Sequence, residues 1–537
     1  MTSSNKIALE LHTVDYVVIA AYIVTLVSIG LWVSWRSKGA KDQFTAGHSL
    51  GWFNIGLSLF GTNIGPQFLI AMCGGAYAFG LTAGCTEVLP WVTMALLGLI
   101  FVPFYNKTKI STMPQFIKKR YGNFSYNFLS WYSLIQIAVI WMGVQLLVGS
   151  RLLSPILGWP AWQCILLLLV VATVFTMAGG LKAVVVTDSF QSILIIFGAA
   201  VISYLAVKEI GGIEQLWTAV DDSGDRILSD DHLSFFRTDE GAKYPWYTFV
   251  FGFPVLAFYY WCTDQTIVQR TLGAKNLDQA HKGVVFAAYL KLLPPLIFVL
   301  PGLCWAVYKP ADNPATHLNN DEVFLDLMGT LLAPGFVGFI IAIMMAMLIS
   351  SVDSGMNSFS TVFTMDIYKR NKPDASEQQL TRIGKYATLF AAILAFIIAI
   401  FLSNLKGDLF TLMLKLISSF APMLAAMFLM GVVWKRTTPA AANSAIVLGG
   451  ISSIIIAICM LSDFPSKGFW PHHLLMALIL FLSICLLMIV VSLFTQPNET
   501  EIPELSTVIK EGEASPLVWG LWCVLAIIMT TIYIVLG

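Results

Sequence analysis

The residues best suited to chemistry are ionisable side chains that fall inside long apolar stretches. Charged groups in the interior of a membrane are costly, and they usually pair with one another or line the path of an ion or solute. A structural ion pair within a helix bundle is the simplest alternative for each of them. The residues concerned are Glu87, Asp188, Lys291, Asp353 and Lys415.

Asp353 is the most informative of these acids, because serines surround it in the run Ser350-Ser351-Val352-Asp353-Ser354. Side chains one helical turn apart share a face, so carboxylate and hydroxyl oxygens would lie together. Hard cations prefer such oxygen ligands. Serines in membrane helices also commonly bond to backbone or to a neighbouring helix, which is the alternative.

A glycine-rich break supports a cation site. The run Gly61-Thr62-Asn63-Ile64-Gly65-Pro66 lies in the middle of an apolar stretch. Carbonyl oxygens freed by a break at membrane depth are tolerated where they line a cavity or coordinate an ion. The seven histidines lie outside the centres of the apolar stretches, so no histidine proton relay is indicated. The pattern therefore favours sodium over protons.

The composition requires a membrane protein. Of 537 residues, 57% are hydrophobic and 12% are charged, and the mean hydropathy is +0.77. Lys and Arg (31) balance Asp and Glu (31), so the excess positive charge of a nucleic-acid binder is missing. Stretches long enough to cross a bilayer predict an all-α polytopic protein with about 14 transmembrane helices. Their limits are 12–35, 53–80, 84–105, 126–150, 159–178, 184–207, 246–265, 283–308, 333–358, 384–404, 409–434, 440–461, 471–495 and 516–536.

Positive charge predicts the orientation, since Lys and Arg are held on the cytoplasmic side. Twenty of the 31 lie in, or at the edge of, connections that follow odd-numbered stretches, and nine lie on the opposite face. Both termini are therefore predicted to be external. The acidic connection 208–245 is then an external, solvated cover. Whether it acts as a lid is not decided by the sequence. The short polar termini favour a bacterial inner membrane.

Several segments resemble the sodium/solute symporters, most closely their sodium/glucose cotransporter branch. They follow one another in the family's order from about residue 15 to residue 440. The segments are 42–47, 58–65, 113–116, 119–122, 179–183, 187–188, 259–265, 269–270, 289–292, 350–351, 357–358, 363–368 and 434–436.

The resemblance implies a LeuT-like core of two inverted repeats of five helices, with alternating access around a site at mid-membrane depth. The implied units are a tail and first helix (1–50), a first repeat (51–207), the external acidic loop (208–245), a second repeat (246–436) and three peripheral helices (437–537).

The resemblance also implies sodium ligands and a coupling ion. The first site would use the carbonyls of Gly61, Ile64 and Met347 and the hydroxyls of Ser350 and Ser351. Asp188 matches the family acid beneath this site, and Asp353 and Ser354 fall where some relatives hold a second ion. We therefore expect one or two Na⁺ ions and no organic cofactor.

The substrate positions agree with the family only in part. Sugar contacts are implied for Asn63, Glu87, Tyr260 and Lys291, with Trp261 beside the gating ring of Tyr260. Three polar family positions carry apolar residues here: Phe68, Ala257 and Leu414. Each lost contact to a hydroxyl costs on the order of 1 kcal/mol. An unmodified hexose in the familiar pose is therefore disfavoured.

These observations predict a sodium-coupled symporter that imports a sugar or sugar-derived solute, such as a hexose, polyol or sugar acid. Its partners would be that solute, Na⁺ and the lipid bilayer, not nucleic acid, with the oligomeric state open. The alternatives are a sodium symporter for an organic anion or amino acid, and a solute sensor that does not transport. No nucleophile–base spacing, metalloprotease motif or phosphate-binding loop indicates an enzyme.

Overall fold

The computed structural model describes residues 11–36, 39–221, 223–238, 244–310, 318–403, 409–462, 464–466, 468–496 and 502–537. Within these ranges the chain is helical, and its β pairings are two isolated bridges, Leu50 with Ala274 and Val220 with Arg226. The predicted all-α class is confirmed.

The described residues form 26 α-helices, several of them joined by π-helical turns. The first eleven are α1 (Thr13–Trp35), α2 (Gly39–Thr45), α3 (Trp52–Asn63), α4 (Pro66–Phe79), α5 (Cys85–Val88), α6 (Trp91–Leu96), α7 (Val102–Thr108), α8 (Met113–Tyr121), α9 (Asn123–Gln136), α10 (Gln145–Leu157) and α11 (Ala161–Glu209). Next come α12 (Gln215–Thr218), α13 (Phe253–Phe258), α14 (Gln265–Leu272), α15 (Leu277–Leu290), α16 (Leu300–Tyr308), α17 (Asn320–Leu331), α18 (Phe336–Val362) and α19 (Lys369–Asn371). The last seven are α20 (Glu377–Ser403), α21 (Leu409–Val433), α22 (Pro439–Ser444), α23 (Gly450–Leu461), α24 (His473–Phe494), α25 (Leu505–Glu511) and α26 (Pro516–Leu536).

In the described part of the chain, eleven helical runs are long and apolar enough to cross a membrane, and an apolar run at Thr248–Thr263 is shorter. Each predicted stretch overlaps helical residues. Some runs contain more than one stretch, since Ala161–Glu209 extends over 49 residues and Phe68–Thr108 over 41. The polytopic helical class is therefore confirmed, whereas the number of fourteen spans stays a prediction.

The predicted interruption of the second stretch is present. Helix α3 ends at Asn63, Ile64 and Gly65 have extended backbone with ψ of 97° and 162°, and α4 begins at Pro66. Since the helix stops and Pro66 has no backbone N–H, the last carbonyls of α3 have no partner one turn ahead. The break therefore frees acceptors at the place where the sequence predicts a cation site.

Helix α3 packs very closely against α11. A Cβ atom at Gly61 would lie 2.3 Å from Ser192 Oγ, so a larger residue would force the helices apart. Ser192 Oγ donates to the carbonyl of Leu57 at 2.7 Å. This approach holds Asp188, one turn before Ser192, against the end of α3.

Helix α11 contains a kink that separates two of the predicted stretches. Gly180 has φ of 57° and ψ of −148°, a conformation that favours glycine. A Cβ atom there would lie 2.5 Å from the carbonyl oxygen of Gln43 on α2. The kink and the close approach of α2 both require glycine at this position.

The segment 119–122 joins α8 to the end of α21. Arg120 is buried, and its Nε donates to the carbonyl of Gly431 at 2.9 Å. Its Nη2 donates to the carbonyls of Trp434 and Lys435 at 3.0 Å each. These contacts satisfy carbonyl groups that a helix end leaves without partners. Burial lowers the pKa of Arg120 from its ordinary value of 12.5.

Asp15 on α1 caps the beginning of α18. Its Oδ1 accepts hydrogen bonds from the backbone N–H groups of Gly335 and Gly338, both at 2.7 Å, and the side chain is fully buried. A carboxylate at a helix N-terminus satisfies free N–H groups and interacts favourably with the helix dipole. The cap fixes α18, which carries Ser350 and Asp353, against the first helix.

We expect Asp15→Ala to lower the thermal unfolding midpoint by several degrees. Two N–H groups would lose their acceptor in a buried setting, at about 1–3 kcal/mol for each group. Tryptophan fluorescence in detergent micelles measures the midpoint. Thr25→Ala is the control, because Thr25 lies on the same helix and its hydroxyl only bonds to the carbonyl of Ala21. Equal midpoints for the two variants would contradict the cap.

Candidate functional site

Glu87 and Lys291 form a buried ion pair. Lys291 Nζ donates to Glu87 Oε2, and the side chains are only 2% and 3% exposed. Glu87 lies on α5, and Lys291 directly follows α15, so the pair joins segments 204 positions apart in the chain. Removing two charges from water is expensive, and each charge here depends on the other.

Asn63 and Trp261 complete the surroundings of this pair. Asn63 Nδ2 donates to Glu87 Oε2 at 3.2 Å, and Asn63 is the last residue of α3. The Trp261 ring centroid lies 5.4 Å from Lys291 Nζ, which is cation–π distance. The structure thus brings four of the predicted substrate positions into one cluster beside the helix break.

Tyr260 joins the cluster through aromatic contacts. Its ring centroid lies 5.2 Å from that of Trp261, edge to face, and 5.7 Å from that of Trp141, stacked. An aromatic face beside amide and charged groups suits a polyhydroxylated ligand, which offers hydroxyls and an apolar ring surface. Trp141 was missed at the sequence level because nothing distinguishes it from other aromatic residues of apolar helices.

The other predicted substrate positions have no described contact with the Glu87–Lys291 pair. Phe68 is half-buried on α4, and Ala257 is buried on α13. Among the described residues no hydrogen bond or aromatic contact joins either of them to Glu87 or Lys291. The side chain of Leu414 lies outside the described residues. Lys415, its neighbour, is half-buried on α21.

Asp264 is a site residue that the sequence analysis missed. Its Oδ2 accepts hydrogen bonds from Trp141 Nε1 at 3.2 Å and from Gln136 Nε2 at 3.1 Å. Its Oδ1 accepts from the N–H of Thr266 at 2.8 Å and so caps α14. Asp264 lies inside the predicted stretch 246–265, so the argument applied to the other intramembrane acids would have found it. The contact anchors Trp141, which in turn stacks on Tyr260.

The five predicted ligands of the first sodium ion are buried, and they lie at the end of α3, in the break after it and on α18, which packs against α3. Thr62 Oγ1 lies 3.3 Å from Ser354 Oγ, which links the two helices at this level. The predicted ligands are Gly61, Ile64, Met347, Ser350 and Ser351.

The two serine hydroxyls differ in their contacts. Ser351 Oγ donates to the carbonyl of Met347 at 3.1 Å, so its oxygen lone pairs remain for a cation. Ser350 Oγ donates to Asp188 Oδ1 at 2.5 Å. Ser350 therefore links the predicted ion site directly to the acid beneath it.

Asp188 is completely buried and carries a full set of partners. Its Oδ2 accepts from Ser58 Oγ at 2.6 Å and from Arg270 Nη2 at 3.1 Å. The Arg270 side chain is 1% exposed. Hydropathy does not reveal Arg270, because it follows the seventh apolar stretch, where a solvated cytoplasmic charge is expected. The available signal was its place in segment 269–270, which resembles the symporters.

Asp353 keeps an oxygen that suits a cation. The side chain is fully buried, and its Oδ1 accepts from Ser354 Oγ at 3.3 Å. Its Oδ2 has no hydrogen-bond partner among the described residues. A buried carboxylate oxygen without a donor is costly, and a bound Na⁺ would remove that cost. The donor set here therefore fits sodium.

Part of the predicted external connection packs against α5, close to Glu87. A Cβ atom on Gly80 would lie 2.1 Å from the carbonyl oxygen of His232. Cys85 Sγ donates to the carbonyl of Phe235 at 2.9 Å, and Phe235 N donates to the carbonyl of Leu536 at 2.6 Å. Residues of the connection 208–245 thus pack against the beginning of α5, the helix that carries Glu87.

Comparisons with known proteins identify the family of this chain. The sodium:solute symporter family matches residues 43–450. The chain is 33% identical over 531 residues to sodium/glucose cotransporter 4 of Mus musculus, covering 92% of this chain and 77% of that protein. It is 30% identical over 536 residues to sodium/myo-inositol cotransporter 2 of Mus musculus, covering 92% and 78%.

A solved structure of a Na⁺-coupled sialic acid symporter in a substrate-bound, outward-open state has a similar fold. The TM-score is 0.78 at 22% sequence identity, covering 91% of this chain and all of that one. The family match spans most of the chain, and the relatives align along nearly its whole length. The chain is an integral membrane protein of the sodium:solute symporter family, and it is a transporter rather than an enzyme.

Proposed function

We propose that the chain is a sodium-coupled symporter that imports a sugar or sugar-derived solute by alternating access. The observation that carries the proposal is the buried cluster of Asn63, Glu87 and Lys291 against the ring of Trp261. The names of the relatives, sodium/glucose and sodium/myo-inositol cotransporters, support a polyhydroxylated substrate.

The cluster can recognise hydroxyl groups in both directions. Glu87 accepts hydrogen bonds, Lys291 donates them, and the Asn63 amide does both. A hydroxyl that enters between Glu87 and Lys291 exchanges one charge-assisted hydrogen bond for two. The stacked rings of Tyr260 and Trp141 offer a surface for the C–H groups of the solute.

Three further substrate contacts belong to the proposal, at Phe68, Ala257 and Leu414. Apolar groups at these positions would accept a ligand that has fewer hydroxyls there than a hexose. A sugar acid also stays within the proposal, since its hydroxyls can bind between Glu87 and Lys291 as those of a neutral sugar would. A simple organic anion is less well matched, because Lys291 is already neutralised by Glu87.

We place one sodium ion between the break after α3 and the middle of α18, and a second beside Asp353. The unpartnered Asp353 Oδ2 supports the second ion. The proposed ligands are the carbonyls of Gly61, Ile64 and Met347, the hydroxyls of Ser350 and Ser351, and the second group formed by Asp188, Asp353 and Ser354.

In the proposed cycle sodium binds first from outside and draws the end of α3 towards α18. Asn63 belongs to the same break, so ion binding also orders the substrate cluster. The repeats 51–207 and 246–436 then rock against each other around the bound solute. Each Na⁺ that crosses the membrane contributes ~2.3 kcal/mol per 100 mV of potential.

Proteoliposomes on solid-supported electrodes test this function. We expect a transient current when one member of a panel of hexoses, polyols and sugar acids is added in Na⁺ buffer, and none in K⁺ buffer. Ser351→Ala should abolish the current by removing a sodium ligand. Ser360→Ala is the matched control, since Ser360 is buried on the same helix and bonds to the carbonyl of Gly384. Silence across the panel in both buffers would refute the sugar assignment.

A double-mutant cycle tests the substrate cluster. We expect Glu87→Gln and Lys291→Met each to destabilise the protein by about 3–5 kcal/mol, since each leaves an unpaired buried charge. The double variant should regain most of the thermal stability but transport no solute. Lys435→Met is the control, because the exposed pair of Lys435 with Glu504 is screened by solvent. Solute transport by the double variant would contradict the assignment of Glu87 and Lys291 to the substrate site.

We also propose that both termini are external, as the distribution of Lys and Arg predicts. Ser223→Cys in the acidic connection should react with a membrane-impermeant maleimide in intact cells. Ser376→Cys, in the predicted cytoplasmic connection 359–383, should react only after permeabilisation. Both serines are exposed. The reverse labelling pattern would invert the topology, and the bacterial inner membrane stays a prediction.

A further inference from the structure

Arg270 makes more side-chain contacts than a simple ion pair needs. Its guanidinium is buried at the meeting point of α3, α11, α14 and α18. It donates from Nε to Ser58 Oγ at 2.7 Å, from Nη2 to Asp188 Oδ2 at 3.1 Å and to the hydroxyls of Thr62 and Ser354, and from Nη1 to the carbonyl of Thr266.

In the proposed alternating-access cycle, the helices that carry these acceptors change their contacts. Ser58 and Thr62 precede the break in α3, Ser354 lies on α18, and Asp188 lies on α11. Arg270 itself lies on α14, the short helix that follows the seventh stretch. A guanidinium keeps its charge and offers five donors in a fixed plane, so it can hold several acceptors at once.

The charges of this cluster do not balance by themselves. Asp188 and Asp353 are two buried acids, and Arg270 is the cation that bonds to one of them. One further positive charge would complete the balance, and Asp353 Oδ2 is the oxygen without a partner. Burial of an uncompensated charge is strongly unfavourable. The cluster is therefore suited to one sodium ion while Arg270 stays on Asp188.

Sodium and Arg270 cannot share Asp188 at low cost. Asp188 Oδ2 is 3.1 Å from Arg270 Nη2. A sodium ion coordinated by the same oxygen would lie within a few ångströms of the guanidinium, and two cations at that separation repel strongly in a low-dielectric interior. Ser350 bridges the predicted ion site to Asp188, which offers sodium a short path towards this carboxylate.

We propose that Arg270 is a tethered cation that competes with sodium for Asp188 and thereby links ion occupancy to the packing of α14 against α3 and α18. This inference rests on the proposed sodium symport and adds a positioning residue to it. When sodium reaches Asp188, the guanidinium loses its charged partner, and the contacts of α14 with α3 and α18 weaken. When sodium leaves, Arg270 returns to Asp188 and these contacts form again.

The first experiment measures sodium binding without transport. The sodium concentration that half-protects the purified protein from thermal unfolding is determined in choline chloride. We expect Arg270→Gln to lower this concentration at least tenfold, because the competing charge is gone, and Arg270→Lys to leave it within about threefold. Arg120→Gln is the matched control, since Arg120 is also a buried arginine but bonds only to carbonyls of the α21 end.

The second experiment measures coupling. In proteoliposomes, entry of radioactive sodium without substrate should rise several-fold for both Arg270→Gln and Arg270→Lys, since neither side chain reproduces the planar fork that holds α3 and α18. The double variant Asp188→Asn with Arg270→Gln should have the sodium affinity of Asp188→Asn alone, because Arg270 acts through that acid.

Unchanged sodium affinity in a folded Arg270→Gln variant, or additive effects in the double variant, would overturn the inference. If Arg270→Gln does not fold, the test uses Arg270→Lys in the sodium-entry assay. Sodium entry through Arg270→Lys equal to that of the wild type would then contradict the proposal. Absence of any sodium response in the wild-type protein would instead refute sodium symport itself, so the two failures are distinguishable.

Discussion

The cost of burying charge in a low-dielectric interior governs the centre of this molecule. Three of the buried carboxylates and two of the buried cations form its two polar clusters. Glu87 bonds to Lys291, and Asp188 bonds to Arg270. Asp353 retains an oxygen without a donor. Such a distribution of partners divides the buried charges into a neutral polar cluster, which is the proposed solute site, and an acidic cluster, which is the proposed cation site.

The break after α3 joins these two clusters. Thr62 contacts the acidic cluster through Ser354 and Arg270, whereas the next residue, Asn63, contacts Glu87. Neighbouring residues in a continuous helix point in directions about 100° apart, so one helix end can present groups to two sites. A shift of this end towards α18 would move both sets of contacts together, which is a direct physical route for coupling.

Irregular helix geometry recurs around the same sites. The segment with Tyr260 and Trp261 is a π-helical turn that ends at Thr263, directly before Asp264, and Trp141 lies in another such turn. Such turns often occur at functional sites, since they shift the register of side chains and leave backbone groups less constrained. Here they aim the aromatic rings at each other, and the buried carboxylate of Asp264 holds their orientation through Trp141.

Local sequence signals were sufficient for the helical class, for the break at Ile64 and Gly65 and for the separation of two helices near Gly180. Hydropathy over about 20 residues, together with the backbone preferences of Gly and Pro, determines such features without reference to distant parts of the chain. The likeness of short segments to one family also identified Glu87 and Lys291 as candidates for a single site. Those predictions depend on residue type and order alone.

The partners of the charged groups were decided only by the tertiary structure. Lys291 meets Glu87 across 204 positions, and Arg270 meets Asp188 across 82. In the sequence Arg270 follows an apolar stretch, as a solvated loop charge would, yet the packing of α14 among three other helices buries it. Nothing in the sequence around Trp141 distinguishes it from other aromatic residues of apolar helices. Whether a charge faces water or a carboxylate depends on which helices pack around it, and that packing is a property of the whole bundle rather than of any segment.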